Sequence, residues 1–392
     1  MSPARAAGPT SSVVFALAYE TWADAVSRGM SWSANRMLER LLPDPDVSTL
    51  LVSDPLRSQL SRLRRRGPRA RAGFPDDPTR DLLHPRRLRR RDSFDRATTA
   101  AEYRRYDRWL HQQAVRRRME AVLVTCHPVH AAVADRSRWR DVVYYGWDDW
   151  LAYPPYADAE DLFRWSYEQM ADRDVNVIGV TRALVERIGA PRSTVVPNAM
   201  SASDFRDLPA PPTWFTDLTG PVAMYAGSFE QRIDVDALLA CARDLPDWTF
   251  VLVGYLAEPA LFADLVARPN VILRGLEPRP RVLAMMQHAD VCLIPHRKTP
   301  MSVSMSPLKL YEYLGAGSAV VGIDLPPLRG ISDRCLLVAE GEPLAPAVRR
   351  AAALPPVERG ELETWRERHD WDRRYVSWRA ACLGAVTSAR SV

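Results

Sequence analysis

Ser306-Pro307-Leu308-Lys309-Leu310-Tyr311-Glu312-Tyr313-Leu314-Gly315-Ala316-Gly317 stands just before the β-branched stretch Ala319-Val320-Val321-Gly322-Ile323, and together they spell a short helix feeding a strand. Ser306 is a good N-cap, Pro307 suits the first helical position, and Gly315 or Gly317 suits the C-terminal cap. Leu308, Tyr311 and Leu314 then form a buried stripe, with Lys309 and Glu312 together on another face. A surface ion pair is the plain reading of those two, but the favourable helical order places Glu before Lys, and here it is reversed. Lys309 also falls in the first turn, where the helix dipole disfavours a cation by roughly 0.3–1 kcal/mol. A cation over backbone N–H groups is sensible if an anion binds there, and a diphosphate would serve. Glu312, one turn further in, is placed to accept hydrogen bonds from a hydroxyl-rich neighbour such as ribose.

Outward from this motif, short β-branched runs alternate with longer helical patterns, the mark of parallel βα units with helices on both faces. Strands are expected at 13–18, 49–52, 122–125, 142–145, 175–180 and 194–196, then at 222–226, 249–254, 271–274, 291–294, 319–323 and 336–338. The proline-rich stretch 201–219 between the two sets reads as a linker. The chain therefore divides into a Rossmann-like domain over 1–200, the linker, a second Rossmann-like domain over 220–370, and a C-terminal segment 371–392. In that segment Trp371, Tyr375, Trp378 and Cys382 make one apolar helix face, expected to pack back on the first domain. Residues 67–84, rich in Pro, Gly and Asp, read as a long loop.

A chain of 392 residues with 47% apolar content is enough to fill two cores. Its five cysteines are scattered, so neither a disulfide framework nor a zinc site is expected. Residues 1–12 are polar, and the apolar run after them is too short for a signal-peptide core or a membrane span, so a cytoplasmic location is expected. The basic insertion 57–118 holds 20 arginines against seven acidic residues, and only two lysines, Lys298 and Lys309, occur in the whole chain. An arginine-for-lysine bias suits a GC-rich genome and marks Lys309 as a place where a compact ammonium matters. The insertion reads first as solvated loops and helix faces, and as an alternative as a nucleic-acid-binding or anionic-membrane surface, the latter placing the protein at the inner membrane face.

The second half resembles GT-B glycosyltransferases of the family 4 type, in the branch with a Ser-Pro-x-Lys-x-x-Glu-Tyr-Leu-x-x-Gly helix. Matching pieces are the run from Tyr225 through Gly227, Ser228 and Arg232 to Asp234, the run from Pro246 to Gly254, the run from Pro269 to Gly275, and the run from Ala289 to Pro295. The runs from Val142 to Trp150 and from Val195 to Ala199 are similar to family segments before the linker. The resemblance implies two Rossmann-like domains facing a central cleft, and transfer of a sugar from a nucleoside-diphosphate donor, UDP first, to a hydroxyl on a small-molecule, glycan or lipid-linked acceptor. It implies retention of configuration and no metal or other cofactor. Glu312 would hold the ribose, Lys309 and Arg232 would neutralise the diphosphate, and backbone near Arg274 and Gly275 would meet the base. Gly227, Ser228, Ser306, Pro307 and Leu308 complete the donor side. Where many members carry a first Glu, seven residues before the ribose-binding one, this chain has Ser304, so the loop 296–304 is expected to recognise the donor sugar in its own way.

In the first half, Gly29 follows the first strand, where a loop could approach the substrates. His127 follows the strand 122–125, at a sheet end where open α/β folds bind ligands, and could orient an acceptor hydroxyl. A plain turn and a structural histidine are the bland readings of these two. Asp148-Asp149 is similar to the metal-binding Asp-x-Asp of the other main glycosyltransferase fold. Cationic side chains already serve the phosphates, so a structural or acceptor-side role is expected instead. The insertion lacks the interleaved aromatics of single-strand binders, which counts against a nucleic-acid partner.

Overall fold

The computed structural model describes residues 11–58, 71–89 and 93–384. The expectations for residues 1–10 and for positions 59–70 and 90–92 of the basic insertion lie outside the described residues, as does the end of the C-terminal segment. The strands are β1 (Ser11–Ala16), β2 (Val47–Ser53), β3 (Arg57–Ser58), β4 (Arg80–Leu83), β5 (Arg86–Arg87), β6 (Ala121–Thr125), β7 (Asp141–Gly146), β8 (Asn176–Gly179), β9 (Ser193–Val195), β10 (Val222–Ala226), β11 (Thr249–Val253), β12 (Val271–Arg274), β13 (Val291–Ile294), β14 (Ala319–Ile323) and β15 (Cys335–Val338). All paired strands run parallel.

Two compact units result, one of residues up to Pro197 together with the chain from Arg374, the other Asn198–Arg373. The first unit's sheet has the order β4-β2-β1-β6-β7-β8-β9, and the second unit's the order β12-β11-β10-β13-β14-β15. In each, the first strand sits inside the sheet and the chain winds outward to one side and then the other. Each therefore has a switch point, at β1/β6 and at β10/β13, where a crevice opens at the carboxyl ends of the strands. Both faces of each sheet are covered, so the strands read as nearly unbroken apolar runs: Val222–Ala226 and Val291–Ile294 are buried throughout.

Four expectations need correction. Residues 67–84 are not one long loop, because β4 joins the sheet edge beside β2. The charged pair Arg80-Asp81 masked it, yet Arg80 is buried and its guanidinium donates to the carbonyls of Leu42 (2.8 Å), Val47 (2.9 Å) and Asp44 (3.2 Å). The stretch 201–219 is not a free linker: Phe205 and Phe215 are buried in the second unit's core beside Tyr311 and Leu314. The key helix is Leu308–Ala316, with Pro307 rather than Ser306 at its N-cap. Finally, its buried residues are Leu310, Tyr311, Tyr313 and Leu314 with Gly315 and Ala316, while Leu308 stays partly exposed, because the helix is enclosed on more than one side.

The C-terminal helix Trp371–Leu383 buries Trp371, Trp378 and Cys382. Trp378 packs on Phe15 (ring centroids 6.1 Å) and Tyr145 (5.7 Å), while Tyr375 Oη donates to Asp44, which also accepts from Arg379 at 2.7 Å. These contacts fix the helix end within the first unit. Much of the described part of the basic insertion is committed to structure as well, Arg71 and Arg117 both pairing with Asp81. No described helix is long and apolar enough to cross a membrane.

Candidate functional site

At the switch point of the second unit, β10 is followed by Gly227 and β13 by Pro295 and His296. The helix Leu308–Ala316 brings Lys309 into this crevice. Its ammonium donates to Tyr225 Oη at 2.6 Å, lies 3.9 Å from the Tyr225 ring centroid, and stands 3.5 Å from His296 Nε2. Gly227, at φ 146°, makes the floor: a Cβ there would stand 2.7 Å from Lys309 Nζ. Gly254, at φ 144°, lies behind it, and a Cβ on it would stand 1.9 Å from the Gly227 carbonyl oxygen. Both positions therefore need glycine for conformation and for space.

Among the described residues no carboxylate forms an ion pair with Lys309. Burial holds its pKa well below the ordinary lysine value, and the nearby Arg232 guanidinium lowers it further. His296 is held well below the ordinary histidine value by burial, then by Lys309 and Arg232, so it is neutral. Its Nδ1 is buried without a hydrogen-bond partner. Tyr225 is pushed up by burial, which keeps its hydroxyl protonated, and it donates to the Ser228 carbonyl at 3.1 Å. The crevice thus concentrates cationic and neutral donors where helix N–H groups also point.

Glu312 does not pair with Lys309. Its Oε1 accepts from Arg279 Nη1 at 2.6 Å, and Arg279 also holds Asp204 at 2.9 Å. Burial opposes the Arg279 charge, but Glu312 and Asp204 outweigh it and raise its pKa. Arg232 pairs with Glu230, and its carbonyl accepts from the Arg297 N–H. The Arg274 guanidinium stacks 4.2 Å over Trp214, while the Arg274 and Gly275 carbonyls both accept from the Gly254 N–H at 3.2 Å. Ser306 accepts at Oγ from the Asn198 N–H (3.1 Å), and its carbonyl accepts from Asn198 Nδ2 (2.6 Å). That bond takes the side chain which was expected to cap the helix.

The segment 296–304 is not all loop: Pro300–Ser304 is a helical turn capped by Thr299 and Ser302. Ser304 is buried, with its hydroxyl donating to the Pro300 carbonyl at 2.8 Å, so it supports that turn rather than facing a donor. Arg279 and Tyr225 were missed as site residues, and His296 was named only as the start of the donor-sugar loop. For Arg279 the signal was present, since it too is a cation at the first position of a helix, Arg279–His288.

In the first unit, His127 lines a cavity of about 350 Å³ at the β1/β6 switch point together with Tyr19. Its ring stacks on Tyr103 (4.2 Å) and meets Trp150 edge-on (4.6 Å). Gly29 lies elsewhere, in an exposed turn at φ 69°. It does not follow β1 directly, because the helix Trp22–Ser27 intervenes. Asp149 is buried and structural, accepting from Arg187 and from the Tyr167 hydroxyl, which corrects any acceptor-side part for it. Asp148 accepts from the Asp149 N–H at 3.0 Å, and its charge adds to the burial that raises Tyr19.

With this geometry in place, residues 220–353 match the family described as Glycosyl transferases group 1. The matched stretch lies within the second unit and includes Gly227, Arg232, His296, Lys309 and Glu312. Over 109 residues the chain is 35% identical to a putative teichuronic acid biosynthesis glycosyltransferase, TuaH, of Bacillus subtilis; the match spans 27% of this chain and 28% of that protein. Among solved structures, sucrose-phosphate synthase from Thermosynechococcus elongatus superimposes with a TM-score of 0.63 at 15% identity, over 93% of this chain and 97% of the other. Anabaena HepE in complex with UDP and glucose gives 0.62 at 14% identity, over 95% and 99%. These likenesses show the GT-B fold for the chain. Among the described residues no group of three or more His, Cys, Asp or Glu side chains could hold a metal ion.

Proposed function

We propose that the chain is a glycosyltransferase that moves a sugar from a nucleoside-diphosphate donor to an acceptor hydroxyl. The observation that carries this is the half-buried Lys309 ammonium, which forms no ion pair among the described residues, on the Gly227 floor of the β10/β13 crevice. Such a group is costly until an anion joins it. A diphosphate supplies two, and the group 1 match and the UDP and glucose bound by HepE favour that choice, with UDP as the nucleotide.

In this reading the bond between the anomeric carbon and the diphosphate oxygen breaks, and the electron pair leaves with the nucleoside diphosphate. Lys309, Arg232 and the N-terminus of the helix Leu308–Ala316 stabilise that departing charge. The acceptor oxygen forms the new bond and gives up its proton to an oxygen of the departing diphosphate, with retention of configuration as the resemblance implies and without a metal ion. Glu312, fixed at Oε1 by Arg279, offers Oε2 to the ribose hydroxyls. Neutral His296 beside Lys309 keeps the ammonium aimed at the phosphates.

A mass-spectrometric screen against several nucleotide sugars tests this. We expect consumption of one donor class with release of its nucleoside diphosphate, and a kcat about 10²- to 10³-fold lower in Lys309→Met. No donor consumed, or a Lys309→Met enzyme as fast as wild type, would contradict it.

A further inference from the structure

The cavity at the β1/β6 switch point has a one-sided chemistry. Tyr19, Trp150 and Tyr156 form a continuous stack, with ring centroids 4.5 and 5.0 Å apart and planes within 23° and 5° of parallel. Both faces of Trp150 are covered within the stack, which gives one wall of the cavity an apolar aromatic surface of the kind that packs on the apolar side of a sugar ring. Arg57 and Arg87, carried by the paired strands β3 and β5, supply two guanidinium groups to the lining. Among the described residues the lining contains no carboxylate. The Arg57 guanidinium donates to the Tyr19 carbonyl at 3.0 Å. Glu102 stands 3.8 Å from Arg87 and 3.7 Å from Arg89, so one acid faces two guanidinium groups beyond hydrogen-bond length, and Asp24 stands 3.5 Å from Arg57.

Two lining residues carry a polar atom without a partner: His127 Nδ1 and Tyr19 Oη are both buried and unbonded. Burial, then His130 and Arg87, hold His127 well below its ordinary pKa, so its imidazole is neutral and bonds hydroxyls rather than anions. A volume of about 350 Å³ suits a small molecule.

We propose that this cavity binds a sugar carrying an anionic group, a phosphate or a carboxylate, with the anion on Arg57 and Arg87, the ring on the Tyr19–Trp150–Tyr156 wall, and a hydroxyl on His127 Nδ1. The sugar's role as the acceptor rests on the transfer reading above; its binding does not. The planar guanidinium fork matches carboxylate and phosphate alike, so the lining fixes the charge and leaves its carrier to experiment.

The test is calorimetric titration of the full chain with hexose 6-phosphates, hexuronates, the parent hexoses and inorganic phosphate, each with and without UDP. One anionic class is expected to bind at least about tenfold more tightly than its neutral parent, and Arg87→Gln to lose at least about tenfold of that affinity. Comparison of the phosphate and carboxylate arms identifies the carrier. Arg57→Gln, at a more exposed position, should shift affinity the same way and serves if Arg87→Gln does not fold. Equal binding of neutral and anionic sugars, no anionic-sugar binding in either condition, anionic affinity unchanged in both variants, or inorganic phosphate binding as tightly as the sugar phosphates would each overturn the proposal. UDP affinity reports separately on the second unit: its loss alone sinks the donor reading and leaves this one standing.

Discussion

Lys309 is held by a hydroxyl, an aromatic face and a neutral imidazole, none of which compensates a full charge as a carboxylate would. Without a bound anion this arrangement is a cost to the fold, the usual balance between stability and a preorganised site. Replacing the ammonium with a thioether of similar shape should therefore stabilise the free protein. Lys309→Met is expected to raise unfolding stability by about 1–3 kcal/mol in the absence of nucleotide, read by urea denaturation. A loss of stability would show that the lysine is a structural group, not a binding one. Lys309 and Glu312 were legible in the sequence because their oddity is local, a cation in a first turn and an inverted pair three residues apart. Their partners were not. Tyr225 is 84 residues from Lys309 and Arg279 is 33 from Glu312, and only folding brings such pairs together. Asp149 stood between a structural and an acceptor-side role in the sequence, and its enclosure by Arg187 and Tyr167 gives it the structural one.

At the level of elements, the strand ends carry the site and glycine makes their approach possible. Gly254 donates to the Arg274 and Gly275 carbonyls while its α-carbon faces the Gly227 carbonyl. Gly254→Ala combines a strained positive φ with a clash against backbone, which cannot rotate away as a side chain could. We expect it to cost about 2 kcal/mol or more and to weaken nucleotide binding by displacing Gly227. An alanine variant of wild-type stability and affinity would refute the floor described for Lys309. Four strands, β10, β12, β13 and β14, begin and end where the apolar pattern placed them, because buried parallel strands leave little room for polar residues. Strand β4 escaped notice because an arginine opens it, and the start of the key helix was misplaced because Ser306 is occupied by Asn198, 108 residues away. Capping rules describe neighbours in sequence, and a distant partner overrides them.

For the whole molecule, the alternation of strands and helices was enough to give two doubly wound sheets. The assignment of residues to units was less legible. Prolines over 201–219 suggested a linker, yet Phe205 and Phe215 anchor that stretch in the second unit's core. The same topology appears twice, and each copy places a buried, neutral histidine with an unbonded Nδ1 at its own switch point: His296 in the second unit and His127 in the first. In the readings proposed above, one copy holds the donor and the other a second sugar.

Lys309 meeting a diphosphate is the contact on which the proposed transfer turns, and proton linkage reads it most sharply. Its pKa is depressed in the free site, and a bound diphosphate favours the charged form, so binding must take up a proton wherever pH lies between the two values. Affinity then falls as pH rises from the depressed value toward the raised one. The decisive measurement is calorimetry of UDP binding above neutral pH, in two buffers of different ionisation enthalpy, for wild type and Lys309→Met. The expected result is net proton uptake in wild type, with loss of that uptake and at least about tenfold weaker binding in the variant. Equal affinity with the same proton count in both proteins would contradict it.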